Sequence, residues 1–183
     1  MKWLFSPIFL MMLSCSSIVP LSKIFYFPVF SAPFLDKKKQ MIADYHLKFL
    51  QGAETKILLI HLEASTKKIS FHGFGMLGEI VFECYYKKMS QICNGETNTI
   101  PANKLFEDFQ LTFWPIEELN SQIKSSDFSI SEEVGHRRLF YQDELITEII
   151  YNKKGRSGSN VTVDNKKYKY QLQITPLKLN KTR

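Results

Sequence analysis

At 183 residues the chain has the length of one domain, enough to bury a sizeable core. Apolar residues make up 44% and charged residues 23%, which excludes a disordered chain and a multi-pass membrane protein. The excess of 24 Lys and Arg over 18 Asp and Glu is scattered, so a net charge of +6 does not mark a nucleic-acid surface. Three cysteines are too few for a disulfide-framed mini-domain.

The chain opens Met1-Lys2 and then runs from Trp3 to Ser22 without a charge. An apolar stretch from Trp3 to Leu13 behind one cation, followed by Ser14-Cys15-Ser16-Ser17, has the plan of a signal peptide over residues 1–14. Met12-Leu13-Ser14-Cys15 resembles the bacterial lipobox, with Met12 where Leu is more usual. That likeness implies diacylation of Cys15, and two acyl chains make a stable membrane anchor where one is marginal. In the resembling sorting pathway Ser16 directs the product to the outer membrane, with the domain facing the periplasm. One alternative is an uncleaved transmembrane anchor, since about 20 apolar residues span a bilayer. Pro7 and Pro20 sit badly in such a helix. Another is a signal peptide cut without regard to the cysteine. Residues 15–40 are read as a tether, although Ile24, Phe25, Phe27, Val29, Phe30, Phe34 and Leu35 make it too apolar for a free linker.

The single domain is assigned to residues 41–183, where period two dominates. Ala43, Tyr45, Leu47 and Phe49 alternate with Asp44, His46 and Lys48. Further strands are predicted over Thr55–Glu63, around Ile69 and Phe71, over Glu79–Tyr86, and over Ser90–Cys93. The period then changes. After Pro101, Leu105, Phe106, Phe109 and Phe113 recur at helical spacing, with Glu107 and Asp108 on another face. Pro115 ends or bends this helix, and a second short one holds Ile116, Leu119 and Ile123. Strands return over Phe128–Ile130, His136–Tyr141, Glu144–Tyr151, Asn160–Val163 and Lys167–Thr175. These one-sided strands with one helical interruption predict a mainly β (α+β) fold: a curved antiparallel sheet or incomplete barrel with a central helical lid or plug.

No catalytic constellation emerges. Gly73-Phe74-Gly75-Met76-Leu77-Gly78 spells the dinucleotide fingerprint, but strand residues follow where a helix is needed. Gly155-Arg156-Ser157-Gly158-Ser159 lacks the last glycine of a nucleophile elbow and reads as a loop. His46, His61, His72 and His136 lie on separate strands without metal spacing, and no cofactor is expected. Glu117-Glu118 and Glu132-Glu133 are read as solvated pairs. Cys84 and Cys93 face each other across a hairpin if Lys88-Met89 is its turn, and slip out of register if Lys87-Lys88 is. A disulfide between them and a pair of small buried hydrophobes are both open.

The segment Phe106-Glu107-Asp108-Phe109-Gln110-Leu111-Thr112-Phe113-Trp114-Pro115 resembles a family of proteobacterial outer-membrane lipoproteins of unknown function. Arg137-Arg138-Leu139-Phe140, Ile149-Ile150-Tyr151 and the closing Tyr170-Gln171-Leu172-Gln173-Ile174-Thr175 carry the likeness further, to roughly residues 42–177. That family is distantly similar to the lipoprotein carriers LolA and LolB, whose half-open barrel holds acyl chains beneath a helical lid. Some members are encoded beside aryl-polyene or fatty-acid-like biosynthesis genes. The resemblance implies a groove for a lipid or polyene-type acyl chain, with Leu105, Phe106, Phe109, Phe113 and Trp114 as lid or lining, and carries over no catalytic residue. The expected partners are the membrane, through acylated Cys15, and that ligand. The competing expectation is a non-catalytic adaptor that docks a periplasmic protein through a sheet edge or the 153–159 loop.

Overall fold

The computed structural model describes residues 41–65, 68–87, 90–97, 100–123, 127–152 and 160–181. Within them the period-two pattern becomes five consecutive antiparallel strands: β1 (Met41–Gln51), β2 (Glu54–Ala64), β3 (Lys68–Phe74), β4 (Ile80–Lys87) and β5 (Ser90–Thr97). A two-residue strand, β6 (Ile100–Pro101), leads into helices α1 (Ala102–Phe113) and α2 (Ile116–Gln122). The chain then lays down β7 (Phe128–Glu133), β8 (His136–Tyr141), β9 (Glu144–Tyr151), β10 (Val161–Asn165) and β11 (Tyr170–Lys181). β11 returns beside β1, pairing Leu47 with Ile174. The result is one sheet of eleven strands in the order β6-β5-β4-β3-β2-β1-β11-β10-β9-β8-β7. β6 and β7 form its two edges, so the sheet is not closed.

One face of this sheet is mostly apolar. β1 turns Ala43, Tyr45, Leu47 and Phe49 inward, β2 Leu58, Ile60 and Leu62, and β11 Tyr170, Leu172 and Ile174. Such a face must be covered, and α1 covers it. Phe106 and Phe109 pack on Phe71 of β3, with ring centroids 5.1 and 4.8 Å apart. The mostly β expectation, with a helix against an open sheet, is what the structure has.

Several details differ from the sequence reading. The strands number eleven: the ten predicted ranges, with β5 continuing to Thr97, and the two-residue β6 that follows it. The last strand begins at Tyr170, not Lys167. Asn165 Oδ1 accepts the Tyr168 backbone N–H at 3.0 Å, and Lys169 takes a positive φ of 54°, so residues 166–169 turn. Glu107 and Asp108, on another face of α1 from the phenylalanines, are buried too. Every residue of α1 from Ala102 to Thr112 except Asn103 is buried.

Gly73 lies within β3, and Gly75 and Gly78 lie in the turn from β3 to β4. The ring of Phe82 lies so close over Gly73 that an added Cβ would fall 2.2 Å from it. Gly78 has a φ of +84°, which favours glycine. These glycines therefore have packing and turn roles. The expected signal peptide, Cys15, the 15–40 tether and the Gly155–Ser159 motif lie outside the described residues. No helix among the described residues is long and apolar enough to cross a membrane.

Candidate functional site

The five residues expected to line a groove come together on α1 and its C-terminal cap. Leu105, Phe106, Phe109 and Trp114 are fully buried, and Phe113 is half-buried. Besides Phe71, their neighbours include Tyr45 of β1, whose ring centroid is 5.5 Å from Phe109 and 5.0 Å from Phe113. These are ordinary aromatic packing distances. The rings thus fill the space between α1 and the β1–β3 part of the sheet.

On its other side α1 is held by polar groups. A helix leaves its last four carbonyls without intrahelical donors. Here the Trp114 N–H donates to Gln110 O, the Arg137 guanidinium donates to Leu111 O, and the Tyr151 hydroxyl donates to Thr112 O at 2.8 Å. The same Arg137 Nη1 also donates to Trp114 O at 2.9 Å. Its remaining nitrogens reach Glu132 Oε2 at 2.8 and 3.2 Å, and Arg137 is 1% exposed. A buried cation at the negative end of a helix is favourably placed. Glu132, exposed as the solvated reading expects, also serves as this cation's counter-ion.

Toward its N-terminus α1 carries a buried charged cluster. Lys104 Nζ donates to Asp108 Oδ1 at 2.7 Å and lies 3.6 Å from Glu107 Oε2. The Tyr170 hydroxyl donates to Asp108 Oδ2, and Asn165 Nδ2 donates to the Tyr170 oxygen at 3.3 Å. Burial pulls the Lys104 pKa down, but Asp108 and Glu107 outweigh it and hold it above the ordinary lysine value. Burial pushes the Glu107 carboxyl up to about 7, against the opposing pull of Lys104. Burial and then Asp108 raise the Tyr170 hydroxyl well above its usual value. None of this was foreseen in the sequence. The one local signal was Leu111 on the same side of the helix as Lys104, since apolar residues all round a helix indicate that it is enclosed.

The outer face of the sheet carries a row of cross-strand neighbours: Asp44, His61, His72 and Glu83 on β1 to β4. His61 Nδ1 is 2.7 Å from Asp44 Oδ1 and its Nε2 is 3.3 Å from Glu63 Oε1. The Asp44 hydrogen bond is the main cause holding the His61 pKa above its usual value. His72 stacks on it at 6.4 Å and is lowered, by burial first and then by His61. Among the described residues no cluster of His, Cys, Asp or Glu is able to hold a metal ion. Beside this row lies a depression of about 550 Å³ whose walls include His46, Ile57, Leu59, Phe74 and Met76. Met76 and Leu77 at the β3–β4 tip are 83% and 96% exposed.

Cys84 and Cys93 sit opposite each other on β4 and β5, with Lys87 paired to Ser90, and a disulfide joins them. The register is the one that a Lys88-Met89 turn requires.

These features define an open antiparallel sheet wrapped on a buried helix, with aromatic packing on one side of the helix and polar ties on the other. Residues 40–178 match the family described as "Protein of unknown function (DUF3261)", and the chain belongs to that family. No curated protein matches the chain.

Proposed function

We propose that this protein is an outer-membrane lipoprotein, anchored through Cys15 with its domain in the periplasm, that binds or hands over a lipid or polyene-type acyl chain without catalysis. In this reading the sheet and helix act as in the LolA and LolB carriers, with α1 as the lid. The observation that carries the proposal is the two-sided attachment of α1. Arg137, Tyr151 and Tyr170 tie it to β8, β9 and β11, whereas against β1 and β3 it sets the rings of Phe106, Phe109 and Phe113. An acyl chain entering on the aromatic side exchanges ring–ring contacts for ring–acyl contacts and leaves the polar ties intact. Each CH₂ taken from water then contributes about 0.8 kcal/mol toward the opening.

The test uses the full chain with Cys15→Ser, made in a Gram-negative periplasm, extracted with organic solvent and examined by mass spectrometry. Stoichiometric lipid in this protein, lost in a folded Phe109→Glu variant, is the expected result. A lipid-free protein that also refuses added acyl chains would sink the proposal.

A second reading, a structural or adaptor lipoprotein docking a periplasmic protein, draws on the outer apolar patch. Ile57, Leu59 and Ile80 are 39%, 42% and 61% exposed there, close to Met76 and Leu77. Exposed apolar surface gathered in one place commonly marks an interaction site. A lipid-free protein whose partner is lost on Met76→Ser/Leu77→Ser substitution would favour this reading.

A further inference from the structure

The buried charged cluster on α1 does not balance. It places two carboxylates, Glu107 and Asp108, against the single ammonium of Lys104. Asp108 is well supplied, with Lys104 on one oxygen and Tyr170 on the other. Glu107 is not: among the described residues its buried Oε2 finds no hydrogen-bond donor, and Lys104 stands 3.6 Å away. One helical turn further on, Gln110 is 1% exposed, and neither its Nε2 nor its Oε1 has a partner among the described residues. Three orphaned polar atoms on adjacent turns are unusual, since leaving a buried donor or acceptor unpaired costs about 1–3 kcal/mol. Asn103, Glu107 and Gln110 stand at i, i+4 and i+7, so they form one stripe along the helix. Asn103 at its head is exposed, so the stripe leads from solvent to the orphaned atoms.

We propose that Glu107 and Gln110 form a subsite for the primary-amine headgroup of an amphiphile whose chain lies along Phe106 and Phe109. The inference rests on the acyl-binding reading and specifies the class of its ligand. An ammonium supplies three donors and one positive charge. It satisfies Glu107 Oε2 and Gln110 Oε1 and brings the cluster to neutrality. A carboxylate head would add a third negative charge, and a hydroxyl head would add none. Without a ligand the alternative route to neutrality is a proton on Glu107, which agrees with a carboxyl raised to about 7 by burial. The titratable groups facing Glu107 are Lys104 and Asp108 on the same helix, Tyr168 in the β10–β11 turn and Tyr170 on β11.

The test is calorimetric titration of the delipidated full chain carrying Cys15→Ser with dodecylamine, dodecanol, dodecanoate and butylamine. Dodecylamine is expected to bind about tenfold or more tightly than dodecanol and dodecanoate at pH 8, the scale of one charge-assisted hydrogen bond. Its affinity should fall by about tenfold between pH 8 and pH 6, because a protonated Glu107 must first give up its proton. Glu107→Gln should abolish both the preference and the pH step, and Gln110→Leu should weaken the preference while leaving the pH step. Equal binding of the three long-chain probes, or an unchanged preference in Glu107→Gln, overturns the amine subsite and leaves acyl binding standing. Butylamine binding as tightly as dodecylamine would mean a site for small free amines and overturns the amphiphile assignment. Failure of every probe to bind overturns both readings.

Discussion

Arg137 and Arg138 are sequence neighbours on opposite faces of β8, and their substitution separates a structural guanidinium from a surface one. In Arg137→Met the new side chain fills much of the same space but donates nothing. Leu111 O and Trp114 O lose their buried donor, and Glu132, whose side chain is 26% exposed, loses its counter-ion. Glu132 can turn to water, so the two carbonyls dominate, and at about 1–3 kcal/mol each the loss comes to about 2–6 kcal/mol. For a domain of this size that lowers Tm by roughly 5–25 °C. Arg138 pairs with Glu148 and Glu133 with its side chain 31% exposed, so Arg138→Met should cost less than about 1 kcal/mol. Urea titrations of the full chain carrying Cys15→Ser, followed by near-ultraviolet circular dichroism, give both values. Equal losses for the two substitutions would refute the assignment of Arg137 as the clamp on α1.

Other outcomes follow from the same geometry. Cys84→Ser opens a loop of nine residues' separation, and the chain-entropy relation for so short a loop gives a loss of about 2–3 kcal/mol, read as the shift in urea midpoint. Gly73→Ala drives a methyl into the Phe82 ring, so it should lower stability by about 1–3 kcal/mol, and adding Phe82→Leu should recover part of the loss. The His61 ring, held above its usual pKa chiefly by the Asp44 hydrogen bond, stabilises the fold fully below about pH 6.5. That contribution is lost as pH rises through the folded-state value. A proton NMR titration should therefore place His61 above His72, and Asp44→Asn should bring His61 down. An unmoved His61 would disprove the pairing.

Much of the fold was legible because each strand of a one-sided sheet repeats its burial every second residue. Ala43, Tyr45, Leu47 and Phe49 needed no partner to be recognised as one face. The helix was equally readable from Leu105, Phe106, Phe109 and Phe113, since their spacing is local. The surroundings of its polar side were not. A helical pattern with carboxylates at Glu107 and Asp108 looks amphipathic whether water or protein lies there, and the sheet that encloses them is built from distant residues. Tyr170, the partner of Asp108, is 62 positions away. Arg137 shares the parity of Leu139 in β8, but Phe140 gives the opposite parity an apolar member too, so the pattern left the inward arginine undecided. The cysteine register depended on one residue in the turn. The structure supplies it through the Lys87–Ser90 pair.

The cluster around Lys104 also raises the question of why charges are kept inside a core with so much apolar surface. Burial of an ion pair seldom stabilises a fold relative to apolar side chains of similar volume, because both ions lose their hydration. Breaking one, however, strands the survivor. Asp108→Leu alone takes the acceptor from the buried Tyr170 hydroxyl, leaves Lys104 facing Glu107, and should cost about 1–3 kcal/mol. The combination Lys104→Met, Asp108→Leu, Tyr170→Phe removes all three partners together, and Glu107 then stays protonated. This variant should match or exceed the parent in urea midpoint, while losing any dependence of amphiphile binding on the headgroup. If the combined variant is as unstable as Asp108→Leu, the cluster is there to hold α1 in place. If it is as stable as the parent and blind to the headgroup, the charges are maintained for the ligand at the expense of the fold.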